Sequence, residues 1–215
     1  GERSGYYADF GSPGRIATAV ERGWCYAWDY SPARRRHHGN DPAGLPTSAF
    51  VLCTQNHDQI GNRMRGERLR TIAGPEAERA ARALLLLLPY VPLLFMGQEY
   101  GEERPFLYFV DHEDPALLEA TREGRAREFA AFHRDGTPPD PGGEETFRRS
   151  ILSWPAGSPE ARDAASPPAH TAGLRFPAAG EKWSAEQERM LTAALLRLRR
   201  EHDCFRPAEA GAPNV

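Results

Sequence analysis

A carboxylate and an imidazole stand side by side in the run Gln55-Asn56-His57-Asp58-Gln59-Ile60-Gly61-Asn62-Arg63, and together they can hydrogen-bond two neighbouring sugar hydroxyls. A fixed negative charge at Asp58 would also oppose the positive charge that develops on an oxocarbenium-like transition state. In that reading Asp58 stabilises the transition state, His57 orients the sugar, and Gln59, Ile60, Gly61, Asn62 and Arg63 continue the substrate-binding run. The plainer alternative has Asn56 and Asp58 capping a turn and leaves His57 a loop histidine with its bonds satisfied.

Glu99, Asp111 and His112 form a second group able to reach hydroxyls, set against the ordinary solvation of acidic loop residues. Arg34, Arg35, Arg36, His37 and His38 resemble a phosphate patch, but a single basic run in an acidic chain reads better as a solvated loop. Trp24, Trp28, Tyr6 and Tyr7 have faces that stack on sugars, with core packing as their default. Cys25, Cys53 and Cys204 are odd in number and far apart, without the spacing of a zinc site, so no metal is expected and a reducing, cytoplasmic setting fits.

Positioning such a cluster takes a scaffold, and the order of segments suggests an α/β one. Phe50 to Gln55 is a short apolar run, as expected of a parallel strand buried on both faces, and the polar cluster follows at its C-terminal end. Pro75 begins a helix running to Leu88, with Glu76 and Glu78 at its positive end, and it reads as buried. Pro89 stops it, and Pro92 to Met96 reads as a second strand, completing a strand, helix, strand unit. Asp114 and Pro115 open a helix to about Phe132. Ser184 and Gln187 make a capping box for one through about Glu201, with Leu191, Leu195 and Leu198 as its apolar stripe. A short helix is expected near Arg15 to Arg22. Arg134 to Ala179 is rich in Pro, Gly, Ala and charge and reads as a long loop, Thr146 to Trp154 being its anchored part.

The 215 residues carry 27 Lys plus Arg against 30 Asp plus Glu, a formal charge of −3, which argues against a nucleic-acid partner. The longest apolar stretch, Ala83 to Met96, is broken by Pro89 and Pro92 and too short to span a bilayer, so no membrane association is expected. The chain starts Gly1-Glu2-Arg3 with no leader, so it is expected to begin within a longer protein.

The run from Phe50 to Leu69, FVLCTQNHDQIGNRMRGERL, resembles the strand-end Asn-His-Asp motif of the α-amylase family of glycoside hydrolases. Its extension through Gln59-Ile60-Gly61-Asn62-Arg63 and Gly66-Glu67-Arg68-Leu69 is similar to the family's trehalohydrolase branch. Pro92 to Gly101 and Pro105 to His112 look like the last barrel strand and its loop, with Gln98 and Tyr100 where the family has an acidic residue and Trp. That departure would alter a sugar-stacking contact. Gly1 to Gly11, Tyr30-Ser31-Pro32 and Arg34 to Gly39 resemble the segment leading to the Asn-His-Asp strand.

The resemblance implies the C-terminal part of a (β/α)8 TIM barrel, incomplete in this chain. Residues 1–133 would belong to the barrel, 134–183 to a loop-rich insertion, and 184–215 to the last barrel helix and the start of a link to a further domain. It implies hydrolysis of the α-1,4 bond beside the terminal trehalose of a malto-oligosyltrehalose, through a covalent intermediate and without metal or organic cofactor. A malto-oligosyltrehalose synthase would supply the substrate. Such chemistry needs a nucleophilic carboxylate and a separate acid. By the resemblance both precede Gly1, so the isolated chain is expected to be inactive and poorly folded. The rival readings are a glycogen-branching or α-amylase-type enzyme and a non-catalytic glucan-binding module.

Overall fold

The computed structural model describes residues 9–131, 136–155, 177 and 181–208. Tyr6, Tyr7 and most of 134–183 lie outside them. Pro13, with its φ already suited to a first helical turn, begins α1 (Pro13–Arg22), and Gly23 ends it at φ 72°. Two short strands follow, β1 (Asp29–Ser31) and β2 (Arg36–His38), antiparallel with Asp29 opposite His38. Arg34 to His37 are solvent-exposed as expected, but Arg36 to His38 are strand rather than loop. Pairing with β1, a turn through Arg35 at φ 52° and the Tyr26 ring edge-on to His38 at 5.2 Å fix them there. Trp24 and Trp28 are exposed, against the core packing expected of them, and Trp28 stacks on the His37 ring at 5.6 Å.

The expected strand, helix, strand unit is present, with shorter strands. β3 (Val51–Leu52) leads through α2 (His57–Gly61), α3 (Leu69–Ala73) and α4 (Pro75–Leu87) to β4 (Val91–Pro92), parallel to it in the register Val51 to Val91. Val91 N donates to Phe50 O at 3.0 Å and Leu93 N to Leu52 O at 2.7 Å. Pro92, which has no N–H, thus occupies the position whose donor would point away from β3. Beyond the short ladder, Phe95 N donates to the Gln98 side chain, and the Gln55 side chain accepts from Leu69 N. Val51 is exposed rather than buried on both faces, since no described strand pairs its other side. The described residues form two separate two-stranded sheets and no closed barrel.

α5 (Pro115–Ala131) starts where the Asp114 carboxylate accepts from Ala116 N. Inside the stretch expected to be loop lies α6 (Glu144–Ser150), whose buried Ser150 Oγ accepts from Leu107 N at 3.0 Å. α7 (Ala185–Glu201) begins with the predicted box, Ser184 Oγ accepting from Gln187 N and Gln187 returning the bond to Ser184 N.

The inward stripe of α7 shares only Leu195 with the expected leucine row. It is Glu188, Thr192, Leu195 and Arg199, spaced 4, 3 and 4 residues apart, while Leu198 is exposed. Opposite them α4 buries Glu78 and Arg82 beside Leu85 and Leu86. Glu188 takes Arg70 at 2.8 Å and Arg79 at 2.9 Å on one oxygen and Arg82 on the other. Arg199 donates to the carbonyls of Leu86, Leu88 and Tyr90, where α4 has ended and its last carbonyls lack helical partners. The fold is thus clamped behind the strand ends by buried charge as much as by apolar packing.

Candidate active site

Five side chains fix the backbone where it passes from β3 into α2. Gln98 Nε2 donates to Thr54 Oγ1 at 2.8 Å, and Gln55 Oε1 accepts from Leu69 N at 2.9 Å. Asn56 Oδ1 accepts from Asp58 N at 2.8 Å and Gln59 N at 3.2 Å, and Gln59 Oε1 accepts from Asn56 N at 2.8 Å. The last three bonds are a capping box, which satisfies backbone donors that a helix of this length leaves open.

That cap decides which way the neighbouring side chains face. His57 and Asp58, the first two helical residues, project into solvent with side chains 70% and 71% exposed, and His57 Nε2 lies 3.4 Å from Asp58 Oδ1. Asn62 is exposed as well. Gln59 spends its amide oxygen on the cap. Ile60 is 1% exposed and Gly61 is buried, so these two present no side chain to a ligand in solvent. Three residues on from His57, the helix has turned its face to the core. Arg63 lies 3.6 Å from Glu67. The continuous run read from the sequence is therefore split, with His57, Asp58 and Asn62 outward and Ile60 and Gly61 inward.

Several residues to which the sequence reading gave no supporting role hold this corner. Arg125 of α5 donates to Gly61 O at 2.9 Å and lies over the Tyr108 ring at 4.2 Å, tying down the far end of α2. Arg68 is buried, and its guanidinium donates to the carbonyls of Arg104 at 2.6 Å and Met96 at 2.9 Å; desolvation pulls its pKa below the usual value. At Gly66, φ 60°, a Cβ would sit 2.5 Å from Phe106 O, so the loop after α2 and the loop after β4 touch backbone to backbone. Apart from Gly66, these positions carry no local signal, because their partners lie tens of residues away.

On the β4 side, Glu99 is half-buried, and its carbonyl accepts from Arg82 and from Thr192 Oγ1, each at 3.1 Å. Tyr100 is 3% exposed, and its hydroxyl donates to Glu102 Oε2 at 3.2 Å. Burial, then the Glu102 charge, push that hydroxyl's pKa well up. Gln98 is buried too, so neither residue presents a face to a sugar in solvent. Glu102 collects Ser153 N and Oγ, Glu103 N, Arg104 N and the Tyr100 hydroxyl. Burial alone would raise its pKa, but the Ser153, Arg104 and Tyr100 bonds outweigh it and hold the carboxyl below the usual range. Asp111 and His112 are exposed.

Among the described residues no group of three His, Cys, Asp or Glu is placed to hold a metal ion, and no helix is long and apolar enough to cross a membrane. Two concavities, of about 870 and 400 Å³, open near Phe50 and Tyr90 and between α1 and α4; neither is lined by His57 or Asp58. Removing the cap side chain with Gln59→Ala is expected to lower stability by about 1 kcal/mol. Urea unfolding reads this directly, and an unchanged midpoint would show that water replaces the bond.

No protein-family model matches the chain. It is 47% identical over 154 residues to a malto-oligosyltrehalose trehalohydrolase from Saccharolobus solfataricus and 45% identical over 157 residues to one from Arthrobacter ramosus, about 72% of the chain in each case. The matched regions are 26% and 27% of those proteins, so the chain spans about a quarter of the length of these curated relatives. A crystal structure from Salmonella typhimurium, of a protein assigned as an α-amylase, superposes with a TM-score of 0.77 at 40% identity. It covers 94% of this chain and 31% of its own.

Proposed function

This chain is a homologue of the malto-oligosyltrehalose trehalohydrolases over about 72% of its length, and from that premise we propose that it forms part of a glycoside hydrolase acting on malto-oligosyltrehalose. The reaction is hydrolysis of the α-1,4-glucosidic bond beside the terminal trehalose, releasing trehalose and a shorter malto-oligosaccharide. The observation that carries the reading is the His57–Asp58 pair, held outward by a capping box just past the C-terminal end of a parallel strand, the edge where barrel enzymes gather reactive groups.

In this reading the chain is the C-terminal part of a (β/α)8 barrel, with β3 and β4 as two of its strands. Residues 1–133 belong to the barrel, 134–183 to an insertion, and 184–215 to the last barrel helix with the start of a link. Asp58 stabilises the oxocarbenium-like transition state, while His57, Asn62 and Glu99 contact hydroxyls. The nucleophile and the general acid come from sequence outside these 215 residues, so the isolated chain is inactive. A malto-oligosyltrehalose synthase supplies the substrate in the cytoplasm.

The test incubates the polypeptide containing this chain with a malto-oligosyltrehalose and, separately, with maltoheptaose, and separates the products by chromatography. Free trehalose from the first with little cleavage of the second is expected. Cleavage or rearrangement of maltoheptaose without trehalose release would move the activity to the amylase or branching type, and no reaction with either would leave glucan binding without catalysis.

A further inference from the structure

One buried carboxamide joins the end of β3 to the turn after β4. Gln98 is 2% exposed; its Nε2 donates to Thr54 Oγ1 at 2.8 Å and lies 3.4 Å from Glu78 Oε1, while its Oε1 accepts from Phe95 N at 3.2 Å. Thr54 stands two residues before the capping Asn56 and four before Asp58. From the other side Arg82, fully buried and paired with Glu188 of α7, donates to Gln98 O at 2.8 Å and Glu99 O at 3.1 Å. A continuous series of bonds therefore runs from α7 through Arg82 and Gln98 to the strand end that presents Asp58.

A buried amide is unfavourable unless bonded, and an apolar side chain of similar volume would fill the space without that cost. What the amide adds is direction, since its two ends fix Thr54 against Phe95 N. We propose that Gln98 is a positioning residue, whose carboxamide sets the height of the β3 end and so the placement of the Asp58 carboxylate against the Glu99 turn. The inference rests on the reading of Asp58 as transition-state stabiliser. Small displacements of such a charge act on the rate, because its interaction grows as the transition state forms.

The experiment compares Gln98→Leu, Thr54→Val and the double variant in the polypeptide that contains this chain, with trehalose release as the readout. Each single change is expected to lower kcat about tenfold with KM within about twofold, and the double to lose no more than either alone, the non-additivity of one shared interaction. Thr54→Ser, which keeps the hydroxyl, should recover most of the loss. Wild-type kcat in both single variants with only a lower melting temperature would overturn the proposal, as would losses that multiply in the double. Should Gln98→Leu fail to fold, Thr54→Val against Thr54→Ser decides. If the wild type releases no trehalose, it is the reaction that has been misread, and amide exchange over 56–62 then decides the clamp: about tenfold faster exchange in the variants supports it, and unchanged exchange overturns it.

Discussion

Asp58→Asn, made in the polypeptide that carries this chain, is expected to lower kcat by about 10²- to 10³-fold and to change KM little. Asparagine keeps the shape and a hydrogen-bonding oxygen but removes the charge. The lost interaction is therefore strongest where the sugar becomes cationic, in the transition state. The fold should not confuse the result. Asp58 is 71% exposed, and its favourable place in the first turn of α2 contributes only about 0.3–1 kcal/mol. A kcat near that of the wild type, with the folded state intact by circular dichroism, would remove Asp58 from the mechanism.

Glu188→Ala is expected to have the largest effect on stability, a loss of about 3–5 kcal/mol. Its two oxygens hold Arg70, Arg79 and Arg82 from two other helices, and truncation leaves these cations around an empty site. An exposed pair such as Arg148 with Glu144 is worth at most about 1 kcal/mol, because water replaces the partner. Denaturant unfolding separates the two cases, and a loss below about 1 kcal/mol would mean that water reaches the cluster.

The same cluster sets a pH dependence. Burial pushes the Glu188 carboxyl up, but bonds from Arg82 and Arg79, with the charge of Arg70, outweigh it and hold it below the usual range. A carboxyl depressed in the fold stabilises above its unfolded pKa, and that stability is lost as pH falls through the folded value. Glu102 acts in the same direction. Glu78, which also faces Arg70, Arg82 and Gln98, runs the other way. Burial raises its pKa, so its contribution is greatest at low pH and lost as pH rises through the folded value. Among the described residues five carboxyls are held low, those of Asp9, Glu102, Asp140, Glu188 and Glu201, and only Glu78 is raised, so melting temperature should fall as pH drops below about 4.3. Glu188→Gln should flatten that decline, and an unchanged decline would place its origin elsewhere.

How much of this was legible in the sequence follows from the range of each interaction. The Ser184–Gln187 box, the Pro75 start and the Pro89 stop of α4 each depend on residues within one turn, and local pattern located all three. The sequence also marked His57 and Asp58, but treated their neighbours as equivalent. Helical periodicity then divided the run, sending Ile60 inward and leaving Asp58 in solvent. The leucine stripe of α7 held only at Leu195, for a related reason. Glu188 and Arg199 face inward because α4 and the carbonyls beyond it offer counter-charges and acceptors, and apolarity alone cannot register that.

What the sequence alone determined is therefore local: where α4, α5 and α7 begin, that a strand precedes and follows α4, and which adjacent pair was a candidate to act on a sugar. Only the tertiary structure decided how that pair is held. Thr54 meets Gln98 across 44 residues, Gly61 meets Arg125 across 64 and Arg82 meets Glu188 across 106. The cost of leaving such buried polar groups unpaired is paid between segments that sequence spacing does not relate, so the partners become visible only when the chain has folded.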